Sequence, residues 1–526
     1  MKKLIGFAVF LTTMVAGAQG KAPPRPKHPS LPPEERVRVI APAKPGELRL
    51  VPSFTSVSVC YGCDAEVQGL SLEYRKVVPS GFWKRLFGGK EPWRTMEFGC
   101  PWFADVKNHR GSVYVLEENT DYEIRLISDG RTVTYGRTRT GSSDVPIAKT
   151  VEIDPATAKF PIVVSDCGTA NGWVRYAVKG GRLEAPRTVT SVLFVTNAAY
   201  VVFDGLTIRG GDDAAIRVVD SRFVRIRGCD IADWGDDGYE PRYDRMGNLA
   251  KPWDPKKSRY GKGSSSGGIT LDRGASGVVV ERCYIHEPHS RAHSWRYSHP
   301  YGPMAICLRD SAGGHVLRWN DFVGCDAHRF DDTVGGGNDF YELGTFNRDS
   351  DIYGNFIAFA NDDCLEIDGG QQNVRVFGNR FEAGFMGVSV QGNQVSPSYV
   401  FDNVFTGCVE EFDQASSSIK TSGIDLFDYR PVCVICDNVF WGRGVAIPTG
   451  NNTAKLDVRR NVCYGPEQAI KGIGNKSPYA TVEGNRTNLV ATACPSGDWP
   501  RRPIPYVTDI SRIDGVRLAK GAVSPA

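Results

Sequence analysis

Short runs of alternating apolar and polar residues fill most of the chain, and from Gly302 to Asn485 they recur about every 24 residues. Each unit has an apolar-x-apolar run, a short turn, and a second apolar run that ends in x-Asn-x-apolar. The asparagines that mark the units are Asn320, Asn355, Asn379, Asn403, Asn438, Asn461 and Asn485. A fixed period with β-type alternation inside it is typical of a solenoid of stacked coils. The pattern therefore predicts an all-β protein whose main body is a β-helix.

The marker asparagines are predicted to be structural. A coil has to turn sharply, and asparagine tolerates the left-handed backbone conformation. Its amide can also bond to the same amide of the next coil and so form a ladder along the solenoid. Earlier coils are recognisable at 201–208, 224–231 and 278–285, where Cys229 and Cys283 occupy the marker position.

The segments outside the repeat predict further regions. Residues 1–18 are typical of a signal peptide, so we expect an exported protein. We predict a Pro-rich linker at 19–35, a small β-sandwich at 36–150, the β-helix at 151–490 and a C-terminal wrap or cap at 491–526. Segment 115–126, with Tyr122, resembles the turn and corner tyrosine of fibronectin type III domains.

Composition excludes some classes of function. With 58 glycines, 32 prolines and 10% aromatic residues, the chain suits a turn-rich β protein. Its net charge of +3 is too balanced to indicate a nucleic-acid partner, and no later apolar run is long enough to predict a membrane span. We expect a monomer. Cys60, Cys63 and Cys100 fall in the predicted sandwich, where an exported protein can form an oxidised pair.

One strand of each coil offers a candidate site. Aligned on the marker residues, these strands cover 268–271, 305–308, 340–343, 364–367, 387–390 and 423–426. Their second and fourth residues are apolar, so the third residues should point outward. The outward column is Thr270, Cys307, Glu342, Glu366, Ser389 and Asp425, and Arg309, Asp368 and Gln391 belong to the next outward column. Glu342 and Glu366 are predicted to be neighbours on adjacent strands.

Several coils contain extra residues before this strand, and insertions on one rim usually build a binding face. The insertion 239–262 is rich in basic and aromatic residues, and two later insertions add histidines, aromatics and carboxylates. Aromatic rings stack on sugars, and basic groups attract anions. The residues predicted to bind substrate are Arg309, His328, Arg329, Trp295, Tyr301, Gln391 and Asp425.

The carboxylates of this region predict acid–base chemistry. Neighbouring strands lie about 4.8 Å apart and alternate residues of one strand about 7 Å apart. These separations cover both carboxylate geometries of glycoside hydrolysis. Crowding also separates the pKa values of carboxyl groups, so that one stays protonated as an acid. The candidate catalytic residues are Glu366, Asp368, Glu342, Asp362, Asp363 and Asp332.

The segment Asn361-Asp362-Asp363-Cys364-Leu365-Glu366-Ile367-Asp368-Gly369 resembles the Asp-Asp-Cys-apolar-x-apolar motif of polygalacturonase-type glycoside hydrolases. Residues 155–490 resemble, in their repeat pattern, the right-handed parallel β-helix superfamily of pectate lyases and polygalacturonases. The resemblance implies a right-handed helix, a carbohydrate-active protein and catalytic roles for Asp362 and Asp363. The later His-Gly and Arg-x-Lys motifs of polygalacturonases are absent from the sequence.

The sequence thus predicts an exported glycoside hydrolase whose partner is a polysaccharide, with anionic polymers among the candidates. One alternative is a calcium-dependent polysaccharide lyase, because Asp362, Asp363, Glu366 and Asp368 offer many oxygens close together. Another is a non-catalytic glycan-binding surface protein. The sequence assigns no metal ligands, and calcium, through the lyase alternative, is the one cofactor that it suggests.

Overall fold

The computed structural model describes residues 41–77, 91–236, 266–295, 299–336, 343–392, 395–412, 414, 416–421, 432–442, 444–449, 455–465, 470–471 and 480–489. All regular elements in these ranges are β-strands. The predicted signal peptide, linker and C-terminal cap lie outside them. The described ranges contain no helix with the length and hydropathy needed to span a membrane.

Two antiparallel sheets form a small N-terminal sandwich. The first has the order β1 (Leu48–Pro52), β2 (Ser56–Gly62), β6 (Asn108–Tyr114), β5 (Trp102–Phe103), and the second β4 (Arg94–Thr95), β3 (Ser71–Lys76), β7 (Asp121–Ser128), β8 (Arg131–Arg139). Alternation decides which side chains face inward, so that Val57, Val59, Ile124 and Leu126 are fully buried between the sheets. The hydroxyl of Tyr122 accepts a hydrogen bond of 3.0 Å from the Glu117 amide.

Three long parallel sheets form the solenoid, as the repeat predicts. The nine-strand sheet contains β10 (Ile162–Val164), β13 (Ser191–Thr196), β16 (Ala214–Val219), β19 (Gly267–Leu271), β22 (Met304–Leu308), β25 (Val334–Gly335), β28 (Asp363–Glu366), β31 (Met386–Ser389) and β34 (Ile419–Lys420). The eleven-strand sheet contains β12 (Leu183–Ala185), β15 (Thr207–Gly210), β18 (Asp230–Ala232), β21 (Tyr284–His286), β24 (Asp321–Val323), β27 (Phe356–Ala358), β30 (Arg380–Glu382), β33 (Val404–Thr406), β36 (Val439–Trp441), β39 (Val462–Tyr464) and β42 (Arg486–Leu489). Apolar side chains from successive coils form one continuous core inside these sheets.

The twelve-strand sheet completes each coil. It contains β9 (Ile147–Ile153), β11 (Trp173–Val178), β14 (Ala199–Asp204), β17 (Arg222–Arg227), β20 (Val279–Glu281), β23 (Val316–Arg318), β26 (Asp351–Tyr353), β29 (Val374–Phe377), β32 (Ser398–Phe401), β35 (Val432–Cys436), β38 (Lys455–Arg459) and β41 (Thr481–Glu483). A separate pair joins β37 (Ile447–Pro448) to β40 (Ile470–Lys471). The first solenoid strand, β9, spans the predicted boundary at residue 150. The prediction of a parallel β-helix preceded by a small β-sandwich is confirmed.

The marker asparagines form the predicted ladder. The side-chain oxygen of Asn379 accepts bonds of 3.0 and 2.9 Å from the backbone and side-chain nitrogens of Asn355. The same bonds continue from Asn379 to Asn403 and onward to Asn485. The expected left-handed backbone lies one residue earlier, as at Gly354 and Gly378 (φ 65° and 60°), so the turn is made by the residue before the marker. The marker position therefore requires asparagine for its side-chain amide, which forms the ladder, and not for a left-handed backbone.

The sandwich packs on the outer face of the twelve-strand sheet through buried polar contacts. Arg375 donates hydrogen bonds of 2.8 and 2.9 Å to the hydroxyls of Ser58 and Ser112 in the sandwich. Arg318 of the solenoid lies 2.6 Å from Glu118 of the sandwich. Both arginine side chains are fully buried, so the sandwich covers this part of the twelve-strand sheet.

The cysteines in the described ranges are free thiols, including Cys60, Cys63 and Cys100. Those of the solenoid are mostly buried, as expected of small apolar side chains. The oxidised pair that export makes possible in the sandwich does not form among these residues.

Candidate functional site

Two Asp-Asp pairs are stacked on adjacent coils, at the starts of two neighbouring strands of the nine-strand sheet. Asp331 and Asp332 end one residue before β25, and Asp362 immediately precedes Asp363, the first residue of β28. The Asp362 amide donates to the Asp331 carbonyl oxygen (3.1 Å), and the Asp363 amide donates to the Asp332 carboxylate (3.1 Å). Parallel pairing therefore places one aspartate pair over the other.

Glu366, at the other end of β28, joins the same cluster. Val334 pairs with Leu365, so Gly335 lies opposite Glu366. A Cβ at Gly335 would lie 2.6 Å from Oε2 of Glu366, which means that the glycine leaves the space that the carboxylate fills. The Gly336 amide donates to the same oxygen at 3.1 Å.

The carboxylates approach one another in two overlapping groups. One oxygen each from Asp331, Asp332 and Asp362 lie within 4.8 Å of one another, and so do oxygens of Asp332, Asp363 and Glu366. All five side chains are buried. One oxygen of Asp331 and one of Asp363 are buried with no hydrogen-bond donor in the described part of the chain.

Lys420 supplies a cation to this cluster. Its strand β34 lies beside β31, and Ser389 pairs with Lys420. The ammonium Nζ reaches Oδ2 of Asp363 at 2.9 Å. Burial lowers the pKa of Lys420, but the carboxylates, with Asp363 first among them, raise it further, so the pKa lies well above its ordinary value. Lys420 is therefore an ammonium ion at any physiological pH.

Burial and crowding act on the aspartates in the opposite sense. Burial, and then the neighbouring carboxylates, raise the pKa values of Asp331 and Asp332 well above their ordinary range. Burial, followed by the charge of Asp363, raises the pKa of Asp362 to about 6. Charged forms lose hydration when buried, and like charges repel. Asp331, Asp332 and Asp362 therefore keep their protons to a higher pH than exposed aspartates do.

An aromatic rim lies against Asp362. The indole Nε1 of Trp295 donates a hydrogen bond of 3.0 Å to Oδ1 of Asp362, and Nε2 of His299 lies 3.5 Å from Oδ2. The His299 ring packs 4.7 Å from the Trp295 ring and 5.8 Å from the Tyr301 ring, measured between centroids. Tyr301 is 43% exposed, so the rim connects the buried carboxylates to solvent.

A hard cation is chemically compatible with the cluster. Its ligating groups are carboxylate oxygens, and calcium binds several such oxygens at once. Asp332 belongs to both groups of three, which would make it a shared ligand. The protein groups alone therefore suit either proton transfer or cation binding.

The structure places most of the sequence-predicted carboxylates in this site. Asp332, Asp362, Asp363 and Glu366 lie in the cluster, and Trp295 and Tyr301 form the rim. Asp368 follows β28 and accepts bonds from the Ser389 hydroxyl (2.7 and 2.9 Å) and from the Gln391 amide (2.8 Å). Asp368 and Gln391 are thus bonded to each other beside the cluster.

The predicted basic residues are engaged elsewhere. Arg309 forms a two-pronged ion pair with Asp213 at 2.7 and 3.0 Å. Arg329 is buried and donates to Asn361 (2.7 Å) and to the carbonyl oxygen of Ala383 (2.6 Å). Arg329 therefore fixes the turn that leads into Asp362. His328 lies partly buried in the turn before Arg329.

The predicted register is wrong at two coils. The strand that follows Cys307 in the sheet is β25, so Gly335 takes the place next to Cys307. In the last coil the strand is β34, and Lys420 lies next to Ser389. The sequence alignment had placed Glu342 and Asp425 at these points, because it assigned all extra residues of a coil to the segment before the strand. Glu342 and Asp425 themselves lie outside the described residues.

Sequence reasoning missed Asp331, His299 and Lys420 as site residues. A signal for Asp331 was available, because Phe330-Asp331-Asp332-Thr333-Val334 matches the Asp-Asp-x-apolar pattern around Asp362 one coil later. Lys420 had no such signal, since its two-residue strand carries no marker of register. His299 lies in an insertion whose path the repeat does not determine.

No protein-family model matches the sequence, and no curated protein matches it. Among solved structures, a surface adhesin of Streptococcus pneumoniae, PfbA, aligns over 67% of this chain and 72% of its own at 11% identity (TM-score 0.32). A tailspike protein of E. coli bacteriophage HK620 in complex with a pentasaccharide aligns over 65% and 53% at 10% identity (TM-score 0.29). An alginate lyase from Paenibacillus sp. aligns over 65% and 99% at 10% identity (TM-score 0.26). The solenoid architecture itself follows from the strand pairing given above.

Proposed function

We propose that the protein is a polysaccharide-processing enzyme, a glycoside hydrolase whose acid–base groups are the stacked aspartates and Glu366. The observation that carries this proposal is the arrangement around Asp362 and Asp363. One of these adjacent carboxyls has its pKa raised to about 6, and the other is paired with the partly buried ammonium ion of Lys420. Two carboxyl groups in such different surroundings can act as acid and base at the same pH.

A purely structural role does not explain the cluster. Removing a charge from water costs several kcal/mol unless partners compensate, and among the described residues one ammonium faces a cluster of five carboxyl groups. Buried oxygens of Asp331 and Asp363 also have no donor in the described ranges. Folding does not require such an arrangement, since Thr270 and Cys307 occupy the same sheet column in other coils. Clusters of this kind with perturbed pKa values are concentrated at functional sites.

In the proposed reaction Asp362 donates its proton to the glycosidic oxygen as the bond from that oxygen to the anomeric carbon breaks. The departing sugar keeps the electron pair of the broken bond. Asp363 accepts a proton from the water molecule whose oxygen forms the new bond to the anomeric carbon. The net change is the addition of one water across the glycosidic bond. Glu366 flanks Asp363 and supplies the negative field that stabilises the developing oxocarbenium ion, while the raised pKa of the neighbouring Asp332 favours its neutral form.

The rim supports a sugar-binding role. Trp295 and Tyr301 are aromatic, and sugar rings stack on such faces. Because Trp295 also donates to Asp362, a sugar stacked there lies beside the proposed acid. Arg329 holds the preceding Asn361 and thereby positions the Asp362 backbone without contacting substrate.

Calcium-dependent elimination is the second candidate. It is favoured by the two oxygen-only groups of three carboxylates, which offer a hard cation several ligands. In that case the cation would occupy the space between Asp332 and its neighbours. Products distinguish the two candidates, since elimination leaves an unsaturated sugar and hydrolysis adds water.

Three further properties are proposed from the sequence and from the sandwich. Export through the signal peptide at 1–18 and a monomeric state rest on the sequence alone. A fibronectin type III-like identity for the sandwich is supported by the order of its strands and by the Tyr122 corner bond.

The test is a polysaccharide screen with product analysis by mass. The native chain and Glu366→Gln are incubated with neutral, amino, uronic and sulfated glycans, with calcium and with a chelator. Water-added oligosaccharides that require Glu366 support hydrolysis. Unsaturated products that disappear in chelator support elimination. Binding without any product supports a non-catalytic glycan-binding protein, and unchanged turnover in Glu366→Gln removes the assigned site.

A further inference from the structure

We propose that the sugar ring bound beside Asp362, Asp363 and Glu366 carries no negative charge, so that the enzyme cleaves a neutral glycan at this point. This inference rests on the proposed function and narrows its substrate class. It departs from the sequence-based expectation, which kept anionic polymers among the candidates on account of the basic insertions.

Carboxyl groups of the described residues surround the proposed cleavage point. Asp331, Asp332, Asp362, Asp363 and Glu366 all place carboxyl oxygens within the two overlapping groups. Asp368 lies beside them on the same coil, and its negative charge also raises the pKa of Lys420. The raised pKa values of Asp331 and Asp332 show how unfavourable each additional negative charge is in this surrounding. A substrate carboxylate or sulfate would be one more such charge.

The described cations do not offer a matching site. The Lys420 ammonium is already paired with Asp363. Arg309 is bound to Asp213, and Arg291 of the rim insertion is bound to Glu411. Arg329 is buried behind the site and directs its guanidinium to Asn361 and Asp326. Enzymes that recognise carboxylates commonly use arginine in a two-pronged contact, and these arginines are committed to the protein.

The rim has the chemistry expected for an uncharged ring. Trp295, Tyr301 and Phe385 present apolar faces, and the Trp295 and Phe385 rings lie 5.9 Å apart between centroids. Stacking on aromatic faces needs no charge on the sugar.

The inference also bears on the type of reaction. β-Elimination removes the proton next to a carboxyl or carboxyl-ester group of the sugar, and therefore needs a uronic acid or its ester at the cleavage point. Hydrolysis has no such requirement, because it acts at the anomeric carbon. A neutral ring that carries neither a carboxyl group nor its ester is consistent with hydrolysis alone.

The test uses glycan pairs that differ only in charge. Polygalacturonate, alginate and glucuronan are each compared with their carboxyl-reduced forms, and neutral glucans, xylans and mannans are added. Binding is measured by titration calorimetry with full-length Asp362→Asn, and cleavage with the native chain, both in chelator and in calcium. We expect the neutral member of a recognised pair to bind at least about tenfold more tightly than its uronic counterpart.

A charge variant tests whether the negative charge of the cluster causes the preference for the neutral glycan. Glu366→Gln removes one negative charge, so the preference for the neutral member should shrink several-fold. Glu184→Gln, on an exposed side chain of the eleven-strand sheet, should leave the preference unchanged. Equal or tighter binding of the uronic member, in chelator or in calcium, would overturn the inference while leaving the proposed carbohydrate function in place. Absence of binding and cleavage with every glycan would overturn both.

Discussion

The ammonium of Lys420 lies 2.9 Å from the carboxylate of Asp363, although 57 positions separate the two residues in the chain. Their strands, β34 and β28, are not neighbours, and β31 lies between them in the sheet. The side chain of Lys420 therefore reaches across one coil of the solenoid. This ion pair distinguishes Asp363 from Asp362, which bonds to the indole of Trp295.

Replacing Lys420 by methionine should destabilise the protein. The variant keeps most of the side-chain volume but leaves Asp363 buried without its cation, and broken buried pairs typically cost about 3 kcal/mol or more. The free energy of unfolding, measured with denaturant, should fall by that order. Lys455→Met, at an exposed position of β38, should change it by less than about 0.5 kcal/mol. Equal stability of the two variants would show that the ion pair does not form.

The raised pKa of Asp362 should make the free energy of unfolding depend on pH. Folding raises it from 3.8 to about 6, so the native state retains a proton that the unfolded chain has already lost. The stabilisation from this proton is fully present below pH 3.8 and is lost as the pH rises through about 6. Unfolding free energies of the native chain and Asp362→Asn should therefore diverge over this range, by about 3 kcal/mol in favour of the variant. A pH-independent difference would contradict the raised pKa.

Trp295→Phe should move the pH dependence of turnover. The indole hydrogen bond favours the ionised form of Asp362, so its loss should raise the pKa of that acid further. The alkaline limit of activity should then shift to higher pH, while KM changes little because an aromatic ring remains. Trp173→Phe, on the twelve-strand sheet, serves as the control. A shift toward lower pH, or a loss of binding with no shift, would assign Trp295 a different role.

The fold could be predicted from the sequence because its signals are local and repeated. Apolar alternation and the asparagine markers recur in every late coil, and the ladder from Asn320 to Asn485 forms as the pattern implies. The exact turn residue could not be predicted in the same way. Gly354, Asp402 and Arg460 all adopt positive φ before a marker, and only the first belongs to a residue type that favours it without strain.

The site was only partly predictable, and the missing part depends on register. Asp362, Asp363 and Glu366 lie in a coil of the regular 24-residue length and were found from the motif around them. Lys420 was missed because extra residues fall after its strand, so that the distance to Asn438 no longer indicates the strand position. Pairing of Ser389 with Lys420 is a property of the folded sheet, and a one-residue error in register reverses the face of every side chain.

Asn379→Ala should show how much the ladder contributes. The side chain donates to the Ile352 carbonyl oxygen (2.8 Å) and to Asn403 (3.0 Å), and it accepts from Asn355. The variant leaves these buried groups without partners, at a cost of about 3 kcal/mol. Asn485→Ala, at the partly exposed end of the ladder, should cost no more than about 1 kcal/mol. If both variants lose the same free energy of unfolding, burial does not strengthen the hydrogen bonds of the ladder.

Release of new reducing ends by Asp362→Asn tests the central claim most directly. With the glycan identified by the screen, the variant should lose turnover by about a hundredfold to ten-thousandfold, because asparagine cannot donate the proton to the leaving oxygen. Asp204→Asn, in an ion pair with Arg227 on the twelve-strand sheet, should retain full turnover. The folding of both variants is checked by their denaturant unfolding curves. Undiminished turnover in a folded Asp362→Asn chain would contradict catalysis by the stacked aspartates.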